Sequence, residues 1–215
     1  MDKQEIISRC DHTLLKPFST WEDMIPICED ALKYHTASVC IPPCYVKPAH
    51  KNYPDLNVCT VIGFPNGYNT TEVKVAEAIQ AIADGASEID MVINIGEMKA
   101  GNYDYVLDEI KALRKATEGK ILKVIVETCY LDEAEKIKVC ELVTEAGADF
   151  IKTSTGFGPE GAKIEDIELF KKHIGPNVKM KAAGGISTVE DLEAFVKAGC
   201  ARIGTSRAVG LLKDK

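Results

Sequence analysis

The chain has 215 residues, 46% hydrophobic and 27% charged, with 33 acidic against 26 basic side chains and a formal net charge of −7. That length suits one domain, residues 1–215, with a sizeable core. The acidic balance argues against a general nucleic-acid binder, which needs a basic stripe, but leaves room for a local basic pocket that takes a small anion.

The opening Met1-Asp2-Lys3-Gln4-Glu5 is polar and carries no apolar h-region, and no apolar run is long enough to span a bilayer. The expectation is a cytoplasmic protein with no membrane partner. The 8 cysteines, Cys10, Cys28, Cys40, Cys44, Cys59, Cys129, Cys140 and Cys200, scatter through apolar runs and read as free thiols rather than a disulfide framework. Neither they nor the 4 histidines (His12, His35, His50, His173) show ligand spacing, so no metal site is expected.

Short β-branched runs alternate with helical patterns along the chain. Strands are predicted at 11–15, 37–41, 58–64, 88–94, 122–128, 150–154, 178–183 and 202–205, the first of them the weakest. They are near-continuous apolar runs, as parallel strands covered by helices should be. Between them, Val75, Ile79 and Ile82 share one helical face, stopped by Asp84-Gly85. Val106, Ile110 and Leu113 share another, ended near Gly119. Asp132 reads as an N-cap with Glu135 three residues on, and Gly147 ends that helix. Ser187 and Glu190 form a capping box before Leu192, Phe195 and Val196, with Gly199 at the end. Helix, glycine, small residue, strand recurs at Gly85, Gly147 and Gly199, because only glycine takes the left-handed cap without steric cost. The pattern predicts an α/β fold, a single (β/α)8 TIM barrel of eight parallel strands. A doubly wound open sheet is the alternative, but no Gly-x-Gly-x-x-Gly follows the first strand.

In such a barrel the active site forms at the C-terminal ends of the strands, and alternation decides which side chains face inward. Lys152 ends one strand run and Lys181 lies in the next; Asp90 faces the same interior. An amine there is costly to keep charged, and a cation at roughly 4 Å, at an effective dielectric near 20, disfavours a second ammonium by about 4 kcal/mol. The pair therefore suggests Schiff-base chemistry on a lysine made nucleophilic by its neighbour. Asp11 and Cys40 lie near the ends of the first two strands, while Lys123 and Glu127 share a face and read as an internal ion pair. Gly184-Gly185-Ile186-Ser187 and Gly204-Thr205-Ser206-Arg207 follow the last two strands, where barrels of this type commonly hold phosphate; Gly156 closes the cup.

Together, Asp11-His12-Thr13-Leu14-Leu15-Lys16-Pro17, Ser38-Val39-Cys40-Ile41, Val61-Ile62-Gly63-Phe64-Pro65, Glu88-Ile89-Asp90-Met91-Val92-Ile93-Asn94, Lys152-Thr153-Ser154-Thr155-Gly156, Lys181-Ala182-Ala183-Gly184-Gly185-Ile186 and Gly204-Thr205-Ser206 resemble the deoxyribose-phosphate aldolases over essentially the whole chain. The resemblance implies a class I aldolase that needs no metal and no cofactor. It implies reversible cleavage of 2-deoxy-D-ribose 5-phosphate to D-glyceraldehyde 3-phosphate and acetaldehyde. It places the Schiff base on Lys152, the pKa-lowering lysine at Lys181 and the proton relay at Asp90. Asp11, Cys40, Thr155, Gly156, Gly184, Gly185, Gly204, Ser206 and Arg207 become the substrate and phosphate contacts. Its partners would be sugar phosphates and aldehydes, and its assembly a homodimer or homotetramer. Two departures stand out. Some members end in a tail tyrosine that helps proton transfer; here Leu211-Leu212-Lys213-Asp214-Lys215 stands instead, so the role falls to Asp90, Lys181 and water, or turnover is slower. Where some carry a lysine after the sixth-strand Thr-Gly, this chain has Phe157, so part of the cationic contact to phosphate is lost or moved to Arg207. A transaldolase-like Schiff-base barrel and a non-catalytic sugar-phosphate-binding barrel are the alternatives; binding alone needs no pair of inward lysines with Asp90.

Overall fold

A computed structural model describes residues 1–213. Asp214 and Lys215, the last residues of the segment set against the tail tyrosine above, lie outside the described residues. The strands are β1 (Cys10–Thr13), β2 (Ser38–Ile41), β3 (Val58–Ile62), β4 (Glu88–Val92), β5 (Ile121–Ile125), β6 (Phe150–Lys152), β7 (Lys179–Ala183) and β8 (Arg202–Thr205). Each pairs in parallel with the next, and β8 returns to β1, closing an eight-stranded barrel. Helices α1 (Lys3–Ile7), α2 (Trp21–Tyr34), α3 (Val46–Asn52), α4 (Thr71–Ala83), α5 (Ile95–Lys99), α6 (Tyr103–Ala116), α7 (Glu133–Glu145), α8 (Ile164–His173), α9 (Val189–Ala198) and α10 (Ala208–Leu212) lie between or beyond the strands. The predicted barrel is the one observed.

The main core lies between the strands and the helices. Val106, Ile110 and Leu113 of α6 are fully buried there, as their spacing predicts. Each such side chain contributes about 1.5–3 kcal/mol by leaving water. Asp132 caps α7 with a reciprocal bond to Glu135, also as predicted. The glycines at 85, 147 and 199 all take positive φ (+112°, +71° and +110°), where a side chain would be strained.

Three local expectations are corrected. The α4 helix buries Lys74, Ala78 and Ala81, whereas Ile79 is 55% exposed. A buried ion pair from Lys74 to Glu109 at 2.7 Å sets that rotation, and the flanking alanines let the helix sit close. The cap of α9 is Thr188 with Asp191, one residue after Ser187 and Glu190; the Ser187 amide also donates to Asp191. Several strands stop short of their predicted ends. The residues beyond them leave the regular ladder to shape loops: Gly63 turns to φ +60° and Glu127 to φ +52°.

Candidate active site

Register brings the inward charges together. Asp90 lies opposite Lys123 on β5, Lys152 opposite Lys181 on β7, and Lys181 opposite Arg202 on β8. Period-two alternation then turns these side chains toward one interior. Asp90 is the hub. Its Oδ2 accepts from Lys152 Nζ at 2.8 Å and from Lys181 Nζ at 2.7 Å, so the two amines share a single oxygen. Its Oδ1 accepts from Lys123 Nζ at 2.8 Å and from the Cys59 thiol at 3.1 Å. Lys181 also donates a short bond to Asp11. Arg202 bridges Asp11 and Glu88, and Glu88 takes Lys123 at 2.6 Å.

These contacts decide the charges. Burial alone would push the Asp90 carboxyl up, but Lys123, Lys152 and Lys181 outweigh it and hold Asp90 well below the usual carboxylate range. Asp11 is held down in the same way by Lys181, Lys123 and Arg202. Burial would push Lys181 and Lys123 down, yet the facing carboxylates hold both above the ordinary lysine range.

Above this charged floor opens a cavity of about 520 Å³. Lys152, only 3% exposed, is the member of the network that reaches it. Thr155 and Gly156 line it from the loop after β6, and Gly184 and Gly185 from the loop after β7. Gly204 at the end of β8 and Ser206 and Arg207 beyond it complete the wall. Gly156, Gly184 and Gly185 all have positive φ (+85°, +84° and +76°). Gly204 also makes room below: a Cβ there would stand 3.2 Å from Lys181 Cε, so glycine leaves space for that lysine.

The remaining sequence-predicted residues sit elsewhere. Asp11 and Cys40 are fully buried and do not line the cavity. Both Asp11 oxygens are engaged by Lys181, Arg202 and Ser38, which makes it part of the floor. Cys40 packs with Cys59 and Val61, and the neighbouring Cys59 is the main cause that lowers its thiol. Lys123 and Glu127 form no ion pair with each other. Lys123 belongs to the floor, and Glu127, beyond the end of β5, binds Thr155.

Sequence reasoning passes over Lys16. It lines the cavity from the loop after β1 and, with Arg207, supplies a cation to a wall where Phe157 carries none. Its signal is the end of the Asp11–Lys16 motif, which reads only as a strand tail. Glu88 and Arg202 are legible by alternation from Asp90 and Gly204. Two groups, Cys40 with Cys59 and Asp90, and Asp11 with Cys59 and Glu88, bring metal-ligand atoms within 4.8 Å of one another. Each includes a carboxylate that already faces the Lys123 ammonium, which a metal ion would have to displace.

Residues 2–213 match the model of the DeoC/LacD family aldolases. The whole chain is 63% identical to the deoxyribose-phosphate aldolase of Clostridium botulinum (strain Alaska E43 / Type E3), covering 98% of that protein. It is 54% identical over 99% of its length to the deoxyribose-phosphate aldolase of Clostridioides difficile (strain 630), covering 97% of it. Among solved structures, the tetrameric deoxyribose phosphate aldolase from Aeropyrum pernix matches with a TM-score of 0.91 at 31% identity, over 99% of this chain and 91% of that one. A barrel whose floor of paired charges presents one lysine, Lys152, to the cavity thus meets close relatives along its full length, and the chain belongs to the DeoC/LacD family of aldolases.

Proposed function

We propose that the protein is a deoxyribose-phosphate aldolase that cleaves 2-deoxy-D-ribose 5-phosphate reversibly to D-glyceraldehyde 3-phosphate and acetaldehyde through a lysine Schiff base. The observation that carries this reading is the position of Lys152. It is the amine of the charged floor that reaches the cavity, and it shares Asp90 Oδ2 with Lys181.

The Lys152 amine attacks C1 of the open-chain sugar. The carbinolamine loses water and becomes an iminium, with protons exchanged through Asp90 and Lys181. The C3 hydroxyl then gives up its proton to a base, the C2–C3 bond breaks, and its electron pair flows into the iminium. Glyceraldehyde 3-phosphate leaves and an enamine remains on Lys152. Protonation at C2 and hydrolysis release acetaldehyde and restore the amine. Lys181, held by Asp11 and Asp90, keeps a positive charge beside the reacting amine. In the same cavity, the loops carrying Gly156, Gly184, Gly185 and Ser206, with Lys16 and Arg207, form the seat for the phosphate.

Lys152→Ala should abolish acetaldehyde release while leaving the fold intact. A Lys152→Ala protein that still cleaves the sugar phosphate would sink the assignment. Supplying dihydroxyacetone-type donors separates this reaction from a transaldolase-like one, which would accept them in place of acetaldehyde. No helix among the described residues is long and apolar enough to cross a membrane. The free cysteines, most of them buried, fit the reducing cytoplasm in which we place the protein. We further assign it a homodimeric or homotetrameric assembly, in line with the tetramer of its Aeropyrum pernix neighbour.

A further inference from the structure

Glu127 is a buried carboxylate for which the mechanism has no use. It follows β5 in a left-handed backbone conformation (φ 52°, ψ 67°), a region that costs a residue with a side chain conformational energy and recurs at functional sites. The carboxylate is turned mainly toward the loop after β6, with the Cys129 thiol donating to Oε1 from 3.9 Å. The Thr155 amide donates to its two oxygens at 3.2 Å each, and the Thr155 hydroxyl donates a short bond to Oε2. The Phe157 amide in turn donates to Thr155 Oγ1 at 3.0 Å. Gly158 is packed against the same carboxylate: a Cβ there would stand 3.3 Å from Glu127 Cδ. One side chain therefore organises residues 155–158, and 155–157 of these line the cavity beside Lys152.

The chemistry of the hydroxyl makes this specific. Thr155 Oγ1 has one proton and has given it to Glu127, while a lone pair takes the Phe157 amide. Thr155 is thus committed to the protein and is a poor donor to a ligand. Between its amide and that of Phe157, both turned inward, lies Gly156 at φ +85°. We propose that Glu127 is a positioning residue for the phosphate end of the substrate: it holds the loop so that the Gly156 amide meets the phosphate, and it sets discrimination between phosphorylated and unphosphorylated sugars. The inference rests on the function proposed above.

The test compares 2-deoxyribose 5-phosphate with 2-deoxyribose in the wild type, Glu127→Ala, Glu127→Gln, Thr155→Val and the Glu127→Ala/Thr155→Val double variant. In Glu127→Ala, KM for the phosphorylated sugar should rise roughly tenfold or more, with kcat within about threefold. For the unphosphorylated sugar, kcat/KM should stay within about threefold, and borohydride should still trap acetaldehyde on Lys152. Glu127→Gln keeps an acceptor for the Thr155 amide and should recover part of the lost KM. Thr155→Val should show the same split, and the double variant should be no worse than Glu127→Ala alone, because both break one link. Equal losses on both sugars, an unchanged KM or additive effects would overturn the proposal. If Glu127→Ala does not fold, Thr155→Val decides alone, and an unchanged ratio between the two sugars refutes the role. A wild type that cleaves neither sugar would instead refute the proposed function.

Discussion

Two sets of buried ion pairs in this barrel respond to burial in opposite ways. In the floor, Asp11 and Asp90 each face several cations; both carboxylates are held down, and Lys123 and Lys181 are held up. Lys74 and Glu109, between α4 and α6, form a single pair at 2.7 Å. There burial prevails, pushing Lys74 down and Glu109 up despite their attraction. One counter-charge does not repay the loss of water, whereas several do. Both sets are buried, yet only the floor keeps a dense fixed charge beside a cavity. Lys74 instead ties its helix to the Val92 carbonyl, and Glu109 accepts the Asn94 amide, so that pair braces the end of β4.

This contrast can be broken from either side. The largest effect should come from the floor. Lys181→Leu removes the cation that Lys152 shares Asp90 with, and kcat/KM for the sugar phosphate at pH 7 should fall by about 10²–10⁴. Wild-type turnover in that variant would show that the second lysine does not drive the chemistry. At the brace, Lys74→Met leaves Glu109 buried without its cation and should cost about 3–5 kcal/mol in chemical denaturation. The Lys74→Met/Glu109→Leu pair should recover most of that loss. A double variant as unstable as the single would mean that the brace depends on charge, like the floor.

The smallest effect is in pH, and its sign differs between the two regions. Asp11 and Asp90 are depressed below their ordinary 3.8, so their stabilisation is present above that pH and is lost as pH falls through their folded values. Glu109 is raised above its ordinary 4.5, so it erodes stability as pH rises from there through its folded value. Denaturation midpoints measured from pH 2 to 7 should show the acid loss in both the wild type and the Lys74→Met/Glu109→Leu protein, while the double variant lacks the upper component. Loss of the acid limb in the double variant would place the acid-sensitive groups at the brace.

Much of the floor is legible in the sequence because it depends on alternation within short strands. Period two and strand adjacency place Lys152, Lys181 and Asp90 inward, and the register agrees. Depth is not legible. Asp11 and Cys40 face inward as expected, but alternation does not say how deep a side chain lies, and both are fully buried without lining the cavity. Pairing Lys123 with Glu127 assumes that β5 continues through residue 127. It ends at Ile125, and Glu127 turns left-handed, so the alternation breaks between them. The buried face of α4 escapes for a nonlocal reason: its rotation is set by Glu109, on another helix, rather than by its own apolar spacing. Lys16 escapes because a cation at the tail of a weak strand looks solvated until the closed barrel folds its loop over the cavity.

The most direct test is to reduce the wild-type protein with borohydride in the presence of 2-deoxyribose 5-phosphate and map the modified peptide. The adduct should fall on Lys152, and Lys152→Ala should show none. An adduct on Lys16, Lys123 or Lys181, or no adduct during active turnover, would contradict the claim that the cavity-facing amine of the charged floor is the nucleophile.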